Sequence, residues 1–435
     1  MQKNKKLLII IPTILLFSLI LLGIVGFFGL EYYATNVIKQ EIDNNIQELS
    51  DHLKIEYDSM TVNWLAFTVN LKKVKMSKPP LSGVITIDKV SVRDLTSIGI
   101  KWIPTVVVLD HIALTNEETS LDVQLFSTTF RLNKIPTQEE LANDWTVFLE
   151  NLHSGGFKIN KLAFADKKSQ VQVNAGDADY LLEKGNQRES SLKVGNLTFK
   201  KKDLQFHFDT FLLSVSLNRE DVLTHLTNLV KNFSFQLPKG LAGKYPFLTN
   251  IKSLGYDRLS LGTDLTYNYQ PETRNVSINW DASATNMGQV RVDLGLTDFD
   301  SPPVPLKGGL VRFFAYLKQL GPPTQEASLQ GLKVKYQDFG LVPRLIKAEA
   351  QSRNLSAEEF TRNLVGTINT TLLIMPLPAS LKDQIKAVTR FLAKPEEIQL
   401  SVTCKEPLRL KNLEEGNLTG LLELLSNTEV KITAK

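Results

Sequence analysis

The sequence predicts an α+β chain, mainly antiparallel β: one N-terminal transmembrane helix, then β-hairpin-built curved sheets with several packed helices. Three observations predict it. Leu7 to Leu30 runs for 24 residues without a charge. From about Tyr57 apolar residues recur at every second position. Among these strand-like stretches, two capping-box sequences open segments of helical spacing.

Residues 1–6 are basic through Lys3, Lys5 and Lys6, and Glu31 is the first acid beyond the apolar stretch. About 20 apolar residues suffice to cross a bilayer as a helix. The positive-inside tendency keeps 1–6 in the cytoplasm and sends everything after 7–30 across. A cleaved signal peptide is the rival reading. Its apolar core runs only ~7–15 residues and ends at a small-x-small site, and Leu30-Glu31-Tyr32-Tyr33-Ala34 is a poor one. Over 31–54, Ile38, Ile42, Ile46, Leu49 and Leu53 form a narrow apolar stripe on an amphipathic helix or stalk.

Two domains are expected beyond the stalk, a hairpin-rich one over 55–240 and an α+β one over 250–435. Leu65, Phe67, Val69 and Leu71 alternate with polar residues as a half-buried strand does. A strand–turn–strand unit then recurs. Ile112-x-Leu114, Asn116 to Thr119 and Leu121-x-Val123-x-Leu125 make one copy. Leu162-x-Phe164, Asp166 to Ser169 and Val171-x-Val173 make another. Leu197-x-Phe199 with Leu204-x-Phe206-x-Phe208, and Val74-x-Met76 with Ile85-x-Ile87, repeat the pattern.

Helices are expected at the Thr137–Glu140 capping box, with Leu141, Trp145, Phe148, Leu149 and Leu152, and at Val222, Leu226, Leu229, Val230 and Phe233. After a break between Pro238 and Pro246, Leu259 to Tyr269 is the cleanest strand in the chain. Val276-x-Ile278-x-Trp280 and Val290 to Leu296 follow. Leu310 to Leu320, the capping box Ser356 to Glu359, and Leu381, Ile385, Val388 and Leu392 mark further helices, about six in all. Strands return at Leu332–Tyr336, Ile398–Cys404 and Glu429–Thr433.

Composition excludes some functions. The formal charge is +4, but without the three leading lysines 47 basic residues face 46 acidic ones. A nucleic-acid binder needs a basic face to neutralise phosphates, so none is expected. The single cysteine, Cys404, continues the alternation of Ile398, Leu400 and Val402 and is expected as a small core residue. It rules out an intramolecular disulfide and a cysteine zinc site.

The five histidines, His52, His111, His153, His207 and His225, fall into no metal-binding spacing. His207 is expected on the polar face of a strand and His225 on a helix. Asp177 with Asp179, Glu117 with Glu118, and Glu414 with Glu415 are read as solvated turn carboxylates. Nucleophile elbows, phosphate loops and dinucleotide fingerprints are absent. No catalytic, cofactor or metal residue is nominated, and no enzyme is expected. The Asn-x-Ser/Thr triplets at Asn196, Asn232, Asn275, Asn354, Asn369 and Asn417 are read as chance.

The segment Ile55 to Trp64, followed by Phe67 to Leu71, with the hairpins at Ile112–Leu125 and Leu162–Val173, resembles the opening of the AsmA-like proteins of Gram-negative envelopes. It equally resembles that of the YdgA-like periplasmic proteins. The likeness lies in pattern and covers the first half; the helical insertions of the second half depart from it. It implies a single-pass inner-membrane protein with its bulk in the periplasm, working in envelope maintenance. A hydrophobic sheet face would bind or carry phospholipid. The partners so implied are the bilayer, through the N-terminal helix, and phospholipid. A structural or assembly factor binding other envelope proteins is the alternative. A periplasmic hydrolase would need two buried carboxylates or a Ser–His pair in a cleft.

Overall fold

The computed structural model describes residues 43, 47, 54–63, 68–77, 83–98, 101–132, 152–184, 188–202, 204–220, 222–236, 251–301, 327–374, 379–410 and 427–435. The chain divides into two compact units, one of Met1–Gly185 with Ser190–Lys202 and one of Asn186–Glu189 with Asp203–Lys435.

The first unit holds β1 (Lys54–Glu56), β2 (Ser59–Asn63), β3 (Thr68–Ser77), β4 (Val84–Ile98), β5 (Lys101–Thr115), β6 (Thr119–Leu132), β7 (Leu152–Asp166) and β8 (Val171–Lys184). Nearly all of β9 (Arg188–Lys201) also belongs to it. β1 and β2 both pair with β3, and β3 to β8 pair antiparallel in sequence order. The expected hairpins form, with Leu114 facing Leu121, Phe164 facing Val173 and Met76 facing Ile85. Their turns close on one chemistry. Asn116 Oδ1 accepts the N–H groups of Glu118 and Thr119, and Asp166 Oδ1 those of Lys168 and Ser169.

Apolar residues of successive strands line up in rows across the sheet. One row is Val74, Ile87, Ile112, Val123, Leu162 and Ala175; the next is Leu71, Val90, Leu109, Phe126, Ile159 and Ala178. Ile87, Val107 and Leu109 are wholly buried. Along β7 and β8 the same rows are only half buried.

Between these two rows the period slips. Leu71 to Val74, Leu109 to Ile112 and Ile159 to Leu162 are steps of three, not two. Lys73, His111 and Lys161, each inside such a step, take positive φ of 53°, 52° and 46°. Asn196 on β9 does the same at 49°. A left-handed residue turns the following side chains onto the face they would otherwise leave. One apolar face thus continues through strands of 10 to 15 residues.

The second unit holds β10 (Leu204–Leu217), β11 (Leu223–Gln236), β12 (Arg258–Gln270), β13 (Asn275–Ala284), β14 (Gly288–Thr297), β15 (Ser328–Asp338), β16 (Glu397–Arg409) and β17 (Thr428–Ala434). Each pairs antiparallel with the next. Between β15 and β16 lie α1 (Leu341–Ser352), α2 (Ala357–Ile374) and α3 (Ala379–Ala393).

The helix expected over Val222–Phe233 is a strand, and His225 lies on that strand. The same kink explains the misreading. Register shifts opposite Ser216/Leu217 and between Val230 and Phe233, where Asn232 has φ 53°, stretch the step of two. Leu223, Leu226, Val230 and Phe233 therefore reach one face at spacings of three, four and three. That spacing imitates a helix.

Other expectations hold. Ser356 Oγ accepts the Glu359 N–H and the Glu359 carboxylate accepts the Ser356 N–H, a complete capping box at α2. Ser356→Ala should cost about 1 kcal/mol, seen as faster amide exchange in the first turn of α2. Helix α3 packs against β17, and Gln384 Oε1 accepts the Ile432 N–H at 2.5 Å. Helix α1 was not foreseen. It starts at Gly340, with φ 117°, where Asp338 accepts the N–H groups of Gly340 and Val342.

The expected fold class needs correcting. Among the described residues antiparallel strands dominate, with few helices, and no helix is long and apolar enough to cross a membrane. The longest, α2, has 18 residues and carries Glu358, Glu359 and Arg362. The expected single-pass inner-membrane location, with the bulk of the chain periplasmic, is corrected with it, because no anchor is seen among the described residues. The stretch 7–30, the stripe from Ile38 to Leu53 apart from Asp43 and Gln47, and the helices expected near 137–152 and 310–320 lie largely or wholly outside the described residues.

Candidate functional site

The strands of the second unit carry apolar rows like those of the first, but here the middle of the rows is small. Phe211, Val230, Thr263, Ala282, Val290 and Tyr336 face one another in register from β10 to β15. Beside them run Phe233, Leu261, Ala284 and Gly288. Alanine and glycine on β13 and β14 leave a floor; phenylalanine, tyrosine and leucine at the ends make walls. The result is a trough of about 600 Å³, within the ~300–1,000 Å³ of small-molecule sites.

Among the described residues its lining contains no Asp, Glu, Lys, Arg, His or Cys. Two core clusters bound it. Leu265 and Ile278 belong to one; Tyr256, Leu259, Met287 and Leu341 belong to the other. Gly288 has no room for a side chain, since a Cβ would stand 2.6 Å from the Tyr336 ring and 2.7 Å from the Gln337 carbonyl. Tyr336 Oη donates to Asp338 Oδ1 at 2.7 Å. Burial, then that hydrogen bond, pushes the phenol's pKa well above its usual value, so the wall stays uncharged. Trp280, two residues before Ala282 on the same face, is 41% exposed and donates its indole N–H to Thr263 Oγ1 at 2.9 Å.

The histidines stand elsewhere. His225 bonds Asn268 Oδ1 at 2.6 Å and Thr227 Oγ1 at 2.9 Å. This Asn–His–Thr line has the order of a nucleophilic triad, but it lies on the polar face, turned away from the trough. His207, on the polar side of β10 as expected, bonds Asp209, which also accepts from Asn232. His111 sits between Asp88 at 3.0 Å and Asp122 at 3.2 Å, and Lys73 bonds Asp88 at 2.9 Å. Among the described residues no group of three or more His, Cys, Asp or Glu could hold a metal ion. His52 and His153 lack described side chains.

Hydrogen bonds to Asp88 and then Asp122 raise the His111 pKa above its ordinary 6.5. A raised folded-state pKa means a contribution fully present below pH 6.5 and lost as pH rises through the folded value. Thermal stability should therefore fall slightly from pH 6.5 upward, and His111→Gln should flatten that slope in a melting series. The effect stays small because the group is half exposed.

Two expectations about site residues change. Asp177 and Asp179 lie within β8 rather than at a turn, with Asp179 4.0 Å from Lys158. Cys404 is half buried against the larger core cluster, and burial pushes its thiol pKa up, away from reactivity. Asparagine at 196, 232 and 354 has a local reason, since all three take positive φ. Glu414, Glu415 and Asn417 lie outside the described residues. Sequence reading did not nominate the trough. Its one signal is Ala282 and Ala284 prolonging the alternation of Val276, Ile278 and Trp280 with small residues.

A family model described as "Uncharacterized protein" matches residues 281–435, which run from the end of β13 through β17. No curated protein matches the chain.

Proposed function

We propose that this protein binds lipid without catalysis, holding one acyl chain in the trough of its second unit. The uncharged lining of a 600 Å³ trough carries this reading. Five interstrand steps of ~4.8 Å make the row from Phe211 to Tyr336 roughly 24 Å long. One leaflet of hydrocarbon is about 15 Å deep, half of a ~30 Å core, so a single chain fits along the row. Each buried methylene contributes ~0.8 kcal/mol, so ten would supply about 8 kcal/mol before the costs of association. With no cation or acid in the lining, the headgroup stays outside.

Titration with palmitate, followed by Trp280 emission, tests the reading. Saturable enhancement that Trp280→Phe removes is expected, along with co-purified lipid in native mass spectra. No response together with no bound lipid would sink it.

A second reading, docking of another protein, draws on Leu373 and Ile374. These end α2 at 80% and 79% exposure. Crosslinking from position 373 to one defined partner would favour it.

A further inference from the structure

We propose that Phe339 and Leu345 form an apolar rim that, with the cations Arg344 and Lys347 on the same helix, docks the second unit onto an anionic bilayer surface, so that the acyl chain enters the trough over Leu341. The proposal rests on the acyl-chain reading above. Leu341 lines the trough and opens α1; Leu345 lies one helical turn further along the same face. Phe339 and Leu345 are each 46% exposed, so apolar surface continues from the trough wall outward.

Charge selects the occupant. Lys347 and Arg344 are exposed on the same helix. The Arg344 guanidinium is held 4.4 Å over the Tyr256 ring and donates to the Leu254 carbonyl at 3.1 Å, which keeps its charge beside the rim. The neighbouring acids are engaged. Asp338 accepts from Tyr336 Oη and from the N–H groups of Gly340 and Val342, while Glu349 pairs with Arg353 at 2.7 Å. Exposed apolar side chains on a helix that also carries exposed cations suit the boundary between headgroups and acyl chains of an anionic leaflet.

The test uses the full chain with Cys404→Ser. An environment-sensitive fluorophore is placed at Leu345→Cys or, for comparison, at Leu181→Cys in the first unit, where Leu181 is 44% exposed. Each protein is mixed with phosphatidylcholine vesicles containing a doxyl-quencher lipid, with and without phosphatidylglycerol. Quenching several-fold stronger at 345 than at 181, and dependent on phosphatidylglycerol, is expected. Lys347→Gln should weaken docking roughly fivefold, read as the ratio of quenched to free label.

Equal quenching at both positions overturns the proposal. So does none at 345 while palmitate still changes Trp280 emission; the trough reading then survives alone. Quenching at 345 without any palmitate response removes the trough reading and, with it, the entry route.

Discussion

Replacing Ala282 with phenylalanine should weaken acyl-chain binding about 200-fold while leaving the fold intact. Ala282 is the small residue at the middle of the row from Phe211 to Tyr336, with Thr263 on one side and Val290 on the other. A phenyl ring there fills trough rather than core, because the side chain points into space the protein leaves open. Displacing about four methylenes of ligand removes roughly 3 kcal/mol, a loss of ~200-fold in affinity. Palmitate titration reads that loss, and circular dichroism should show an unchanged strand signature. Near-wild-type affinity in a folded Ala282→Phe protein would place the chain elsewhere.

Ile87→Ala should produce the largest loss of stability among single truncations, about 3–5 kcal/mol. Ile87 is wholly buried in the first unit, between Val74 and Ile112, themselves at 0% and 3% exposure. Such surroundings cannot collapse onto the vacated space without disturbing three strands. Val84→Ala, on the same strand but 45% exposed, should change stability by no more than about 0.5 kcal/mol. Urea denaturation reads both, as a lower midpoint at unchanged slope for Ile87→Ala. Equal midpoints for the two variants would mean the rows are not the core.

Much of the β-structure is legible in the chain because its signals are local. The Asn116 and Asp166 turns, the alternation on either side of them, and the Ser356–Glu359 box each involve residues within a few positions of one another. Helix α1 was missed because its cap is a glycine and its apolar face begins only at Leu341. The segment 222–233 was misread because bulges at Thr224 and Asn232 give a strand the spacing of a helix. No count of periods within β11 alone separates the two cases. Its partners β10 and β12 do, by pairing with it on both sides of each bulge.

By itself the sequence determined where most strands alternate and how their turns close. These follow from hydrophobic period and turn chemistry, which act over two to five residues. Only the tertiary structure decided that Phe211, Ala282 and Tyr336, spread over more than a hundred positions, share one row and leave a trough at its middle. Cross-strand register makes that row, and register depends on where every intervening strand kinks.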